Sequence, residues 1–181
     1  MLKLILLRHA AADWGDPGSE DFGRCLNRDG EDSAFRIGGY LRQSAHVPDT
    51  VLCSSAPRAQ QTLQCLGHRF SDCPEVLLKK SLYLANPKIL LQEIEAIGTA
   101  AKVLLLIAHN PGIEELALGL TSRGPTRGAA QAKVEQGFTT AALAIFELEA
   151  SGFEEIRFCV TNLVDFASPK ILPESGFEDS H

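Results

Sequence analysis

The chain has 181 residues, 45% of them hydrophobic and 22% charged, and its 17 basic and 23 acidic side chains leave a net charge of −6. That length suits a single domain with a substantial core, and the composition excludes a disordered chain, a fibrous repeat and a miniature disulfide scaffold. The acidic balance argues against a general nucleic-acid binder.

Leu2–Leu7 is apolar except for Lys3, the pattern of a strand covered on both faces. Ala34, Ile37, Leu41 and Ala45 then form a helical stripe. Val51–Cys53 is a second strand. Ser55-Ala56-Pro57 offers a capping hydroxyl before a first-turn proline, and Ala59, Leu63, Leu66 and Phe70 continue as a second helix. Val76–Leu78 predicts a short third strand, and Leu90, Ile94 and Ile97 a third helix. Val103–Ala108 is the clearest buried strand; Asn110-Pro111 predicts an amide cap for a helix carrying Ile113, Leu116 and Leu120. Leu120–Phe138 is rich in glycine and reads as an irregular, mobile loop and a candidate for partner contact, with room for a turn or two of helix over Ala129–Glu135. Strands are expected at Ala141–Leu148 and, alternating at a sheet edge, at Ile156–Val160. Residues 1–172 read as one domain and the acidic Pro173–His181 as a frayed tail. Strand followed by helix four times over implies βαβ units and a mostly parallel central sheet.

Cys25, Cys53, Cys65, Cys73 and Cys159 are odd in number and form no C-x-x-C pair, which disfavours a disulfide framework and a zinc ribbon. Reduced thiols fit a cytoplasmic protein. The first apolar run is too short for a signal peptide, and Val103–Ala108 is too short to span a bilayer, so no membrane partner is expected.

In open parallel sheets ligands bind at the carboxyl ends of the strands. Arg8 and His9 follow the first strand, Ser54, Ser55 and Arg58 the second, and His109 and Asn110 the fourth. Two imidazoles and two guanidiniums thus converge on one rim of an acidic protein, beside two helix starts that favour an anion. Guanidinium forks match phosphate oxygens, and an imidazole can serve as nucleophile. Arg58 in a first turn opposes the helix dipole, a local misfit that points to function. Neither metal nor cofactor is called for: no carboxylate-rich ligand set accompanies the histidines. Cys53 and Arg58 are spaced C-x4-R, one short of a cysteine-phosphatase loop, so Cys53 reads as a buried strand residue.

Leu6-Leu7-Arg8-His9-Ala10, Cys53-Ser54-Ser55-Ala56-Pro57-Arg58-Ala59-Gln60-Gln61-Thr62 and His109-Asn110-Pro111-Gly112 resemble the histidine phosphatase superfamily. Asp13-Trp14, Asp21 through Arg24-x-Leu26-Asn27-x-x-Gly30, Leu82-Tyr83-Leu84-Ala85 and Leu163-Val164-Asp165-Phe166-x-x-Pro169 are similar to its short bacterial phosphohistidine phosphatases of the SixA type. The resemblance implies a three-layer α/β/α sandwich of the phosphoglycerate mutase-like kind. It implies His9 as a nucleophile that takes the phosphoryl group, Arg8 and Arg58 as clamps on its oxygens, and His109 as a second contact that stabilises developing charge. Larger members carry a carboxylic acid after the third strand to protonate the leaving oxygen. Lys79 to Asn86 contains none, while Glu93 and Glu95 fall within a predicted helix and are expected to face solvent. That gap favours a P–N substrate, whose protonated imidazole leaves easily, over a phosphate ester. Asp13 remains an alternative acid, or a turn residue. The expected substrate is a phosphorylated protein, such as a histidine phosphorelay domain; the alternatives are a small phosphorylated molecule, cleaved by a phosphomonoesterase of the same fold, and a non-catalytic phosphate-binding module.

Overall fold

The structure, a computed structural model, describes residues 1–15, 20–67, 74–124 and 129–172. Phe70, Cys73 and the tail from Pro173 lie outside the described residues. Six strands alternate with helices in the order β1 (Leu2–Arg8), α1 (Arg28–Gln43), β2 (Thr50–Ser54), α2 (Pro57–Gly67), β3 (Glu75–Lys79), α3 (Pro87–Glu95), β4 (Val103–Ala108), α4 (Gly112–Thr121), α5 (Ala129–Glu135), β5 (Leu143–Leu148) and β6 (Thr161–Ala167). The strands form one sheet in the order β3-β2-β4-β1-β5-β6. The first four run parallel, while β5 pairs antiparallel to β1 and to β6. The mostly parallel sheet expected from the sequence is thus present; β5 alone runs against the other strands, and β6 beyond it runs with them.

The side-chain period of two sorts the core into two layers. Leu4 and Leu6 of β1, Leu104 and Leu106 of β4, and Phe146 of β5 pack with Leu90, Ile94, Ile113, Leu116 and Val134 of α3, α4 and α5. Ile5 and Leu7, Leu105 and Ile107, and Leu143 and Ile145 pack with Ala34, Ile37, Leu41, Ala59 and Leu66 of α1 and α2. Helices therefore cover both faces, the α/β/α sandwich that the resemblance implied. Each buried leucine or isoleucine contributes about 1.5–3 kcal/mol, so the continuous apolar runs of β1 and β4 fix the centre of the sheet.

The edge strand expected at Ile156–Val160 is not there. That segment is a helical turn: the Phe158 and Cys159 N–H groups donate to the Glu155 carbonyl. The Arg123 side chain binds the carbonyls of Ile156 and Arg157 at 3.0 and 3.2 Å, and the Arg157 side chain pairs with Glu95 on α3. Ile156 is buried, whereas Phe158 is 89% exposed, so their alternation did not mark one face. The edge is β6, whose register against β5 slips between Ile145 and Phe146. The extra residue on β6 breaks the period of two, and with it the signal a strand leaves in sequence.

Both helix caps also differ from expectation. The Ser55 hydroxyl has no partner, and the Ala56 carbonyl instead takes the N–H groups of Ala59 and Gln60. The Asn110 amide donates sideways, to Glu114 Oε2 at 2.6 Å and to the Phe138 carbonyl at 3.1 Å, and its Oδ1 caps nothing. Pro111 occupies the entry to α4. Phe138 is buried, so the far end of the predicted loop is part of the scaffold, and Ala129–Glu135 folds as α5.

Candidate active site

Arg8, His9, Arg58 and His109 line one cavity of about 320 Å³ at the carboxyl ends of β1, β2 and β4, as their sequence positions predicted. His9 follows β1 directly. Its N–H donates to the Ala108 carbonyl and its carbonyl accepts from Ala141, so the backbone is clamped between two neighbouring segments. Thr62, one turn beyond Arg58 on α2, accepts the Ala10 N–H at 3.0 Å and donates to the Arg58 carbonyl at 2.7 Å. The adjacent Gln61 accepts the Leu26 N–H at 2.7 Å. The Gln61-Thr62 pair thereby docks the helix bearing Arg58 onto the loop bearing His9.

Close backbone approach completes the frame. A Cβ on Gly30 would stand 2.0 Å from the Ala11 carbonyl oxygen, and one on Gly112 would stand 1.8 Å from that of Ala85. Only glycine lets α1 reach the loop after β1 and lets α4 reach the segment Tyr83–Ala85.

The His9 Nδ1 lies 2.8 Å from its neighbour's carbonyl at Ala10. A carbonyl can only accept, so Nδ1 carries the proton and Nε2 keeps its lone pair. Arg58 Nε sits 3.3 Å from that Nε2. Burial, with the charges of Arg58, Arg8 and Arg24 acting in the same sense, pulls the His9 pKa from 6.5 to about 4, against the opposing backbone bond to Ala10. Burial first, then His9 and Arg58, pull His109 down to about 3. Both imidazoles are therefore neutral near pH 7. Their ring centroids lie 4.9 Å apart. Arg8 is partly buried, donates to the Phe138 carbonyl at 2.8 Å, and leaves its Nε without a partner.

Asp21, which sequence reasoning treated only as part of a motif, is the hub of this site. It lies in the short 3-10 turn Asp21–Gly23 and lines the cavity. Its Oδ2 accepts from Arg58 at 2.9 Å and from the Tyr83 hydroxyl at 2.7 Å; its Oδ1 accepts from Arg24 at 2.9 Å. Its carbonyl accepts a second Arg58 bond at 2.7 Å. The Tyr83 bond, then Arg24 and Arg58, hold this carboxyl far below the usual carboxylate range, so it stays ionised and is no proton donor near neutrality. Arg58 has five N–H donors; one goes to His9 and two to Asp21, leaving two for an incoming anion. Asp21 therefore braces the cationic cup from its side without consuming it. Tyr83 also packs edge-on against His109, with centroids 5.3 Å apart.

Asp13 is exposed and lies outside the lining of this cavity. Glu93 bonds Ser81 and Lys79, Glu95 pairs with Arg157, and neither lines the cavity. Cys53 is buried, and burial pushes its thiol up to about 12. Among the described residues no three His, Cys, Asp or Glu side chains gather as a metal site, and no helix is long and apolar enough to cross a membrane.

The family model described as histidine phosphatase superfamily (branch 1) matches residues 4–82. An uncharacterized protein of Mycobacterium tuberculosis is 32% identical over 164 residues, which span 91% of this chain and 100% of that one. Among solved structures, a proposed phosphohistidine phosphatase SixA of Agrobacterium tumefaciens shares 28% identity, covers 93% of this chain and 98% of its own, and superposes with a TM-score of 0.78. Its proposed counterpart from Nakamurella multipartitia shares 25% identity over 93% of this chain and 96% of its own, with a TM-score of 0.81.

Proposed function

On the premise that the chain belongs to the histidine phosphatase superfamily, we propose that this phosphatase acts on phosphohistidine in a protein, through a covalent phosphohistidine intermediate on His9. The observation that carries the reading is the lone pair on His9 Nε2, fixed by the bond from Nδ1 to Ala10 and faced by Arg58. In the first step His9 Nε2 attacks phosphorus, the P–N bond to the substrate imidazole breaks, and the leaving ring takes the electron pair. In the second step water attacks the phosphoryl group on His9, inorganic phosphate leaves, and the neutral imidazole returns. Arg8 and Arg58 clamp the oxygens, and His109 contacts the same group. The reaction consists of positioning and charge stabilisation, and no step calls for a metal.

Two observations support a phosphohistidine protein over a small phosphate ester. The carboxylate that lines the cavity, Asp21, is locked in its ionised form, and an alkoxide leaving group needs an acid. Two exposed apolar side chains also line the cavity: Trp14, 89% exposed with the Arg24 guanidinium over its ring, and Leu84, 53% exposed. Leu84 is held at a left-handed φ of 49°, a strained backbone conformation of the kind that collects at functional sites. These two side chains offer an apolar contact to the protein that carries the phosphoryl group.

The test compares hydrolysis of a phosphohistidine-bearing phosphotransfer domain with that of p-nitrophenyl phosphate, for the wild type and His9→Ala. The reading expects a strong preference for the protein and loss of turnover in a folded variant. A preference for the ester would assign the small-molecule reading, and phosphate binding without turnover would assign a binding module.

A further inference from the structure

We infer that Ser54 is a positioning residue that fixes His109 as an Nδ1–H donor toward the phosphoryl group. Ser54 ends β2 and is fully buried, as is the His109 ring. Its Oγ lies 2.7 Å from His109 Nε2. The same Oγ accepts the Ala56 N–H at 3.3 Å, and among the described residues it makes no other hydrogen bond. His109 Nδ1 is buried and has no partner.

Two proton arrangements satisfy the 2.7 Å contact. In the first, the Ser54 hydroxyl donates to a bare Nε2, and the ring proton sits on Nδ1. One group is then unpaired, the Nδ1–H of a ring that lines the cationic cup. In the second, Nε2 carries the proton and donates to Ser54. The Ser54 proton then has no acceptor among the described residues, and Nδ1 offers a lone pair, which repels an anion. A buried polar group left unpaired costs about 1–3 kcal/mol, so the second arrangement, with two orphans, is disfavoured even before a ligand binds. The Ala56 N–H fills one of the two lone pairs of Ser54 Oγ, so the choice between the arrangements turns on the hydroxyl proton, which finds an acceptor only at His109 Nε2 among the described residues.

The two neutral imidazoles consequently present opposite faces to one anion. His9 carries its lone pair at Nε2, where Arg58 Nε donates to it, because its Nδ1 proton is held by the Ala10 carbonyl. His109 shows an N–H at Nδ1, held by Ser54, with Tyr83 fixing the plane of the ring edge-on. A nucleophile and a donor are obtained from the same side chain type by what each ring's other nitrogen is bonded to. The chemical part of this inference rests on the phosphoryl reading of the cavity, whereas the tautomer does not.

Nitrogen-15 NMR of the full chain near pH 7.5 reads the tautomer directly. The expected result is a pyrrole-like Nδ1 and a pyridine-like Nε2 on His109; the reverse overturns the inference, whatever the protein hydrolyses. Kinetics with phosphoramidate as the probe tests the role. Ser54→Ala should lower kcat at least tenfold, with KM changed less than threefold. In a His109→Asn background the same substitution should have no further effect, because Ser54 acts through His109. Full additivity of the two losses would overturn the positioning role. Ser55→Ala, one residue on at a hydroxyl without a partner, should leave kcat within twofold.

Discussion

Replacing Asp21 by asparagine asks whether this carboxylate braces the anion cup or competes for it. Asn is isosteric but keeps one acceptor oxygen and gains a donating NH2. That NH2 must face either Arg24 or the pair Arg58 and Tyr83, all of which donate to Asp21 in the native site. Charge-assisted bonds of this kind contribute about 1.5–3 kcal/mol each, but exposed pairs contribute at most about 1 kcal/mol. The Asp21 side chain is 48% exposed while Arg58 is 2% exposed, which puts the net loss at about 1 kcal/mol. If Asp21 is a strut, that loss appears as a weaker grip by Arg58, with orthovanadate inhibition about five- to tenfold weaker, since 1.36 kcal/mol is tenfold. Thermal unfolding should fall by a similar free energy, and kcat should change less than KM. Tighter vanadate binding in Asp21→Asn would refute the reasoning, because it would mean that Asp21 occupies the place of the substrate's charge.

Acid should destabilise the fold in a defined window. The unfolded His9 titrates near 6.5 and the folded one near 4, so its contribution is complete above 6.5 and is lost as pH falls toward 4; the gap is worth about 3 kcal/mol. His109 acts in the same direction down to about 3. Denaturant titrations from pH 8 to 4 should show this slope, and His9→Asn should flatten it; an identical slope in the variant would show that His9 is not buried neutral. Gly112→Ala should cost about 1–3 kcal/mol in thermal unfolding, because its Cβ meets the Ala85 carbonyl, whereas Gly119→Ala on the same helix meets nothing and should be neutral or stabilising. Trp14→Ala with Leu84→Ala should lower the ratio of kcat/KM for a phosphohistidine protein over phosphoramidate about tenfold, an apolar contact of the size two exposed side chains provide; an unchanged ratio would detach these two side chains from substrate choice.

The four residues of the cup were readable in the sequence because each directly follows a strand or opens a helix, and strand ends in a parallel sheet share one rim. β1 and β4 were readable because strands buried on both faces are apolar throughout. β6 was not, since its bulge removes the alternation on which a half-buried strand is recognised. Asp21, Tyr83 and Ser54 were not readable as a group. Asp21 sits in a three-residue turn with no periodicity, and its partners lie 37 and 62 residues away. The sequence points to Ser55 as the capping hydroxyl and gives Ser54 no role, and only the fold shows that Ser54 bonds His109 while its neighbour bonds nothing. Lys79–Asn86 holds no carboxylate, but one reaches the cavity from elsewhere: Asp21, held ionised by Tyr83 and the two arginines.

Rapid quenching of the full chain mixed with a phosphotransfer domain carrying labelled phosphohistidine tests the central claim most directly. The account predicts a transient, acid-labile and base-stable label on the peptide containing His9, formed and lost at rates that match turnover, and absent in His9→Ala. Label on any other residue, or undiminished turnover in His9→Ala, would contradict it.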